Sequence, residues 1–340
     1  MSVEIWLFTE SGNRAKLRQY LLDSGFAKSG SIHPMAGQTY YFWFDEVDFR
    51  SRVGVSASIY QTGEPDDGER VTNIPAQTWV LHTRTRASAT SYDREKQNDV
   101  IRNARRLFGG RFYNDWHGWN RYTPVEADTR TPAERGIRML YDSWQYKIGA
   151  VSMVMPKPSL ELPASNGALT AFMKEIDPAT YLYNAMLPYA VAAIENFFSG
   201  AFIILIRYSS EAQKKLKGES RKIEMADALA IMGRTKTLED IVASWYSFQN
   251  LQSIHKAYFD WLGIDFWKIV RRDQRKGRRI LKLADLLESL IQTRHSVVHG
   301  FDLDFSLDYD GIMEIFQTVE DVIEAFLRAL SDDFGIKVLP

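Results

Sequence analysis

The sequence predicts an α+β N-terminal domain followed by an all-α antiparallel helical bundle. Up to about residue 125, short runs of period-two character alternate with two helical patterns. From Leu169 onward the chain reads as almost continuous helix. Between these halves lie Pro132, Pro156, Pro158 and Pro163, which punctuate the pattern.

Residues 3–8 form a short apolar run. Residues 14–22 put Leu17, Tyr20 and Leu21 on one helical face and stop at Gly25. Residues 39–44, 53–61 and 78–85 are aromatic or β-branched and alternate like strands. Residues 93–108 read as an amphipathic helix with Val100, Ile101, Ala104 and Leu107 on one face. Ser91 is its expected N-cap, and Gly109 with Gly110 ends it. Residues 1–125 are therefore expected to be an α+β domain with a sensing or regulatory role. Residues 126–168 are expected to be a connector, with a short helix over 132–146 and a linker over 155–167. The remainder, 169–340, divides into helical patterns at 169–174, 178–217, 223–231, 237–261, 266–270, 281–299 and 307–330. Long helices joined by short turns make an antiparallel bundle.

Composition narrows the function. Of 340 residues, 45% are hydrophobic, 25% charged and 13% aromatic, the proportions of a globular protein with ample core material. The 42 basic residues nearly balance 43 acidic ones, so any nucleic-acid role must rest on a local patch. The absence of cysteine excludes disulfides, iron–sulfur clusters, thiolate zinc and a cysteine nucleophile. Residues 1–10 lack a basic segment followed by a long apolar one, so a secretory signal is not expected. Residues 185–207 are apolar for nearly the length of a membrane span, but Glu195 and Asn196 sit at their middle. A carboxylate at mid-bilayer costs roughly 2.5–3.5 kcal/mol. A buried helix in a cytoplasmic protein without a membrane partner is the expectation.

The stretch that carries chemistry is LKLADLLESLIQTRHSVVHG, residues 281–300. Leu283, Leu286, Leu287, Leu290 and Ile291 make an apolar stripe, and Arg294 and Val298 continue it in register. A cation on such a stripe is costly unless an anion meets it. Glu195 is one candidate partner, and a phosphate is the other. His295 and His299 stand at i and i+4 beside Arg294. Gly300 is expected to close the helix as a left-handed cap, leaving His299 in the last turn, where the helix dipole favours an imidazolium. One guanidinium and two imidazoles at a helix end can take a proton from a hydroxyl, return one to a leaving oxygen and stabilise a phosphorane. The bare Arg-x4-His spacing arises by chance in a chain of this composition, so its helical context decides its weight.

In that context, Arg294-His295-Ser296-Val297-Val298-His299 resembles the Arg-[Asn/His/Asp]-x3-His signature of the HEPN superfamily, closest to members from prokaryotic toxin and phage-defence systems. The resemblance covers roughly residues 178–331 and includes the apolar helix with its internal Glu195. It implies a helical bundle and a metal-independent ribonuclease. Arg294 and His299 would then be the catalytic pair and His295 an assisting residue, with Glu195 as a further contributor to the site. It also implies a homodimer with facing motifs, RNA as substrate, and cleavage by 2′-hydroxyl attack. A defence or toxin role implies restraint of the nuclease, by the N-terminal domain or by an inhibitory partner protein. A non-catalytic bundle that binds nucleotide or protein is the alternative, as is the toxin half of a toxin–antitoxin pair.

Residues 268–282 hold Lys268, Arg271, Arg272, Arg275, Lys276, Arg278, Arg279 and Lys282 against the single acid Asp273. Such a concentration in a near-neutral chain reads as an RNA phosphate-backbone footprint. Asp302, Asp304, Asp308 and Asp310 do not fit a calcium loop, because Leu307 and Met313 stand where Gly and Glu are needed. Ser306 is instead the expected N-cap of the last helix. Neither a metal nor a cofactor is expected. Tyr113, Trp116, His117, Trp119 and Tyr122 crowd together as a satellite core or a stacking site.

Overall fold

The computed structural model describes residues 2–30, 39–63, 75, 77–157, 172–173, 175–271, 274–276, 279–300 and 302–339. They divide into two compact units, Met1–Pro132 and Ala133–Pro340. The first is an antiparallel sheet with helices and the second is helical, as the two sequence patterns require.

The sheet of the first unit is built from β1 (Ser2–Phe8), β2 (Ala27–Lys28), β3 (Thr39–Trp43), β4 (Val55–Gln61), β5 (Trp79–Arg86), β6 (Arg111–Asn114) and β7 (Gly118–Trp119). Its order is β2-β3-β4-β5-β1-β6-β7, with every neighbouring pair antiparallel. β1 lies inside the sheet, pairing Ser2 with Arg86 on one side and Ile5 with Asn114 on the other. Period-two alternation sends Val3, Ile5 and Leu7 to one face and Glu4, Trp6 and Phe8 to the other. Helices α1 (Arg14–Asp23) and α2 (Ser91–Phe108) cover the first face. Leu17, Leu21, Val100, Ile101 and Ala104 pack there against Ile5, Leu7, Ile59, Leu81 and Phe112.

The N-cap of α2 is Thr90, one residue before the expected Ser91. Thr90 Oγ1 accepts the Asp93 N–H and Asp93 Oδ2 accepts the Thr90 N–H, a reciprocal capping box. The position decides this, because three residues beyond Ser91 stands Arg94, which cannot accept. Asp93 is fully buried and also accepts the N–H groups of Arg52 and Val53, pinning the loop before β4. The buried face of α2 also runs one residue later than expected, through Phe108, and Leu107 is 63% exposed. Gly109 and Gly110 end the helix with positive φ, and a Cβ on Gly110 would meet Phe8 O at 2.0 Å.

In the second unit the helix expected over 132–146 runs on as α3 (Pro132–Val154). Its Tyr141 hydroxyl donates to Glu324 at 3.3 Å. The expected linker 155–167 and helix 169–174 lie mostly outside the described residues. The helix expected over 178–217 is two, α4 (Pro178–Tyr208) and α5 (Ser210–Gly218). They are parted at Ser209, whose extended backbone turns its hydroxyl to accept the Ala212 N–H. There follow α6 (Met225–Met232), α7 (Leu238–Ser244), α8 (Leu251–Leu262) and α9 (Phe266–Val270). The pattern at 237–261 is thus also broken, by the Asn250 side chain that caps α8.

α4 is long and apolar enough to cross a membrane by length and composition, yet it forms the core of this unit. Its Phe197, Phe198 and Phe202 are fully buried, and Phe198 meets Tyr258, Phe266 and Phe326 edge-on. The basic run contains a hairpin, β8 (Gln274–Lys276) and β9 (Arg279–Leu281). α10 (Leu283–His295), a π turn (Ser296–Gly300) and α11 (Tyr309–Phe334) complete the unit. The N-cap of α11 is Asp308, which accepts the Gly311 N–H at 2.9 Å, and not Ser306. Ser306 is held by its own N–H to Asp304 Oδ1 and so lies too early in the turn to cap.

Candidate active site

α10 buries Leu283, Ala284, Leu287 and Leu290, while Leu286 is 41% exposed. The buried line 283–287–290 reaches Arg294 next at helical spacing. Arg294 is half-buried, and its Nε–H is buried with no hydrogen-bond partner among the described residues. Val298, expected to continue the line, is 43% exposed. The reason is a change of winding: from Ser296 to Gly300 the chain closes π turns, with hydrogen bonds to the fifth residue on.

That change bears directly on the motif. In an α-helix, side chains five residues apart diverge by about 140° around the axis. A turn closed from i to i+5 winds the fifth residue back towards the first. The π segment begins two residues after Arg294 and contains His299. His295 and His299 are both exposed, with ring centroids 4.6 Å apart and planes inclined by 46°. Gly300 lacks the positive φ expected of a left-handed cap. The helix ends by π winding instead, and the Asp302 N–H reaches back to Ser296 O at 3.3 Å.

The turn that follows is moored to α4. Asn184, fully buried, donates from Nδ2 to Asp304 O at 2.9 Å and accepts the Asp304 N–H on Oδ1 at 2.8 Å. Phe305 meets Tyr181 edge-on, at 6.2 Å between centroids. Sequence reasoning passed over Asn184, although an amide on the apolar face of a helix is itself a signal, since a buried amide must find partners. Glu195 stands 11 residues further along α4, about 16 Å away at 1.5 Å per residue. Its carboxylate accepts a hydrogen bond from Gln249 Nε2 at 2.9 Å.

Of the basic run, Lys268 and Arg271 at the end of α9 and Lys282 before α10 are exposed, and Arg271 lies over the Trp267 ring. Arg272 and Arg278 lie outside the described residues. Arg275, Lys276 and Arg279 are on the hairpin strands, and their side chains are likewise outside the description. The run joins the N-terminal end of α10 while the motif occupies its other end. Lys282 and Arg294 are about 18 Å apart along the axis at 1.5 Å per residue.

Residues 164–332 match a family model described as RiboL-PSP-HEPN. The C-terminal half is a HEPN domain. The matched span of this HEPN domain contains α4, the basic run, α10 and the π turn, and so the whole Arg294–His299 motif. No curated protein and no solved structure matches the chain.

Proposed function

We propose that this protein is a metal-independent endoribonuclease whose HEPN domain cleaves RNA by 2′-hydroxyl attack. One imidazole takes the proton of the 2′-hydroxyl as the 2′-oxygen bonds to the neighbouring phosphorus. The bond from phosphorus to the 5′-oxygen breaks, and that oxygen receives a proton from an imidazolium. The products carry a 2′,3′-cyclic phosphate and a 5′-hydroxyl. Arg294 neutralises the charge that builds on the phosphoryl oxygens, and its Nε–H, which has no partner among the described residues, is a donor suited to that contact. His299 acts as general base or acid with His295 beside it, and a homodimer brings two such motifs to one cleft. Phosphates further along the strand would lie on Lys268, Arg271, Lys282 and the hairpin between them. A role in phage defence or as a toxin, restrained by the N-terminal domain or by an inhibitory protein, follows from the same reading.

The observation that supports this reading is an intact Arg294–His295–His299 set where α10 passes into the π turn of a HEPN domain, with the two exposed imidazole rings 4.6 Å apart. The test is incubation of the pure protein with total RNA beside Arg294→Ala and His299→Ala variants, with product ends mapped. Cleavage by the parent alone, leaving cyclic phosphate ends, is expected. Equal cleavage by all three would overturn it. Loss of stability in His299→Ala without loss of any activity would favour a non-catalytic nucleotide- or protein-binding bundle.

A further inference from the structure

We infer that the sheet face opposite α1 and α2 in the first unit binds single-stranded RNA, with Phe42 and Phe44 as stacking surfaces and Arg84 and Arg86 as phosphate contacts. The register places the residues. Phe42 pairs with Ser56, Ser56 with Arg84 and Arg84 with Glu4, which makes one row across four strands. The next row runs Tyr40, Ser58, His82, Trp6, Tyr113 and Trp119 across all six strands from β3 to β7. Within it Trp6 stacks on His82 at 4.8 Å and 8°, and Tyr113 meets Trp119 at 5.4 Å. The aromatic cluster noted in the sequence is thus divided, because Tyr122 packs on Phe112 in the helix-covered core.

At one end of this face lies a cavity of about 630 Å³ lined by Phe42, Phe44, Arg52, Ser56, Arg84 and Arg86 among others. Both phenylalanines are 40% exposed in the whole chain, with rings near-parallel (19°) and centroids 6.2 Å apart. The shape is built. Gly54, with φ +66°, lets the Phe42 ring lie over the backbone where a Cβ would come within 2.7 Å of it. Asp93 holds the Arg52–Val53 backbone that forms the rim. Glu4 is the carboxylate on the row, and it is engaged by His82 at 3.0 Å and Arg84 at 3.5 Å. The face therefore offers flat apolar rings beside an excess of guanidinium charge.

Charge complementarity selects a polyanion, and the exposed rings select one with flat faces to stack. Single-stranded nucleic acid has both, and an antiparallel sheet with two helices behind it is a recurrent way of presenting aromatics to unstacked bases. Such a face would give the chain a hold on RNA separate from the motif. The inference does not depend on the cleavage reading.

The experiment is fluorescence anisotropy of the full chain with a labelled 2′-O-methyl oligonucleotide of about a dozen nucleotides, which lacks the attacking hydroxyl and separates binding from cleavage. Loss of the stacking surfaces in Phe42→Ala/Phe44→Ala is expected to weaken binding at least about 10-fold. Phe42→Leu/Phe44→Leu, which keeps apolar volume, is expected to lose most of the same affinity. Arg86→Ala is expected to lower the slope of log affinity against log salt by about 0.7. Absence of binding by the parent chain, or binding by both phenylalanine variants as tight as the parent's, would overturn the inference. So would displacement by polyglutamate as effective as displacement by unlabelled oligonucleotide, since that would mean charge alone is read.

Discussion

The Asn184 amide holds the backbone of Asp304 at two points, donating to its carbonyl and accepting its N–H, at 2.9 and 2.8 Å. The residues are 120 positions apart, and the bond pair fixes the turn after the motif to the first turns of α4. Asn184→Ala would remove both bonds to the Asp304 backbone, at a cost of about 0.5–1.5 kcal/mol for each. The expected result is a lower thermal midpoint together with slower RNA cleavage, although Asn184 lies outside the motif. Asn184→Asp keeps the acceptor but sets a buried carboxylate against the Thr180 and Asp304 carbonyl oxygens, so it should destabilise at least as much. Cleavage at the parental rate in a measurably destabilised Asn184→Ala protein would mean that the turn does not position the motif.

Arg294 offers a separate test, because charge and geometry can be divided. Lysine keeps the cation but lacks the planar fork and the Nε–H, which is buried without a partner among the described residues. Arg294→Lys is expected to fold normally and to lose most cleavage, roughly 10-fold or more. Single-turnover rates on a defined RNA measure this, with circular dichroism as the folding control.

The three remaining candidates should separate by size of effect. His299→Ala is expected to slow cleavage by about 10² to 10⁴, the range for a lost general acid or base. His295→Ala should cost less, because that ring supports its neighbour. Glu195→Gln is expected to leave the rate within about 3-fold, since its carboxylate is engaged by Gln249 and a glutamine can still accept that bond. A loss on Glu195→Gln as deep as that of His299→Ala would bring Glu195 into the catalytic set.

Glu4 makes the first unit sensitive to acid. The hydrogen bond from His82 lowers its pKa most, burial opposes, and Ser2 and Arg84 lower it further, so it falls from 4.5 to about 2. A folded pKa below the unfolded one means stability that is complete above about pH 4.5 and lost as pH falls towards 2. Glu4→Gln should cost on the order of 1 kcal/mol at neutral pH, allowing for partial solvent screening. The parent's advantage over this variant, read by thermal unfolding, should narrow between pH 4.5 and pH 2.

What could be read from the sequence depended on whether the signal was local. The strands at β1, β4 and β5 and the helix α2 carry enough alternation or periodicity to be seen, and the motif residues at the end of α10 stand in one short run. β2 and β7 are two residues each, too short for any period, and exist because neighbouring strands offer free edges. The breaks at Ser209 and Asn250 were hidden because apolar spacing continues across them and only a side-chain cap interrupts the backbone. The π turn was invisible for a related reason. Its residues Val297 and Val298 fit an α-helical stripe, and only tertiary structure shows the wider winding. Asn184 depends on a partner 120 positions away, and the two-row aromatic face on the pairing of Glu4 and Trp6 in β1 with residues more than 75 positions away, which no spacing rule reaches.

The placement of β1 sets an order in time. Ser2–Phe8 remains without either neighbour until residues 79–86 and 111–114 have been made, and once Trp119 has been added the sheet can close. Arg294 is added 175 residues later. During synthesis, the aromatic sheet can therefore be finished and competent while the residues proposed to cut RNA have yet to be joined to the chain.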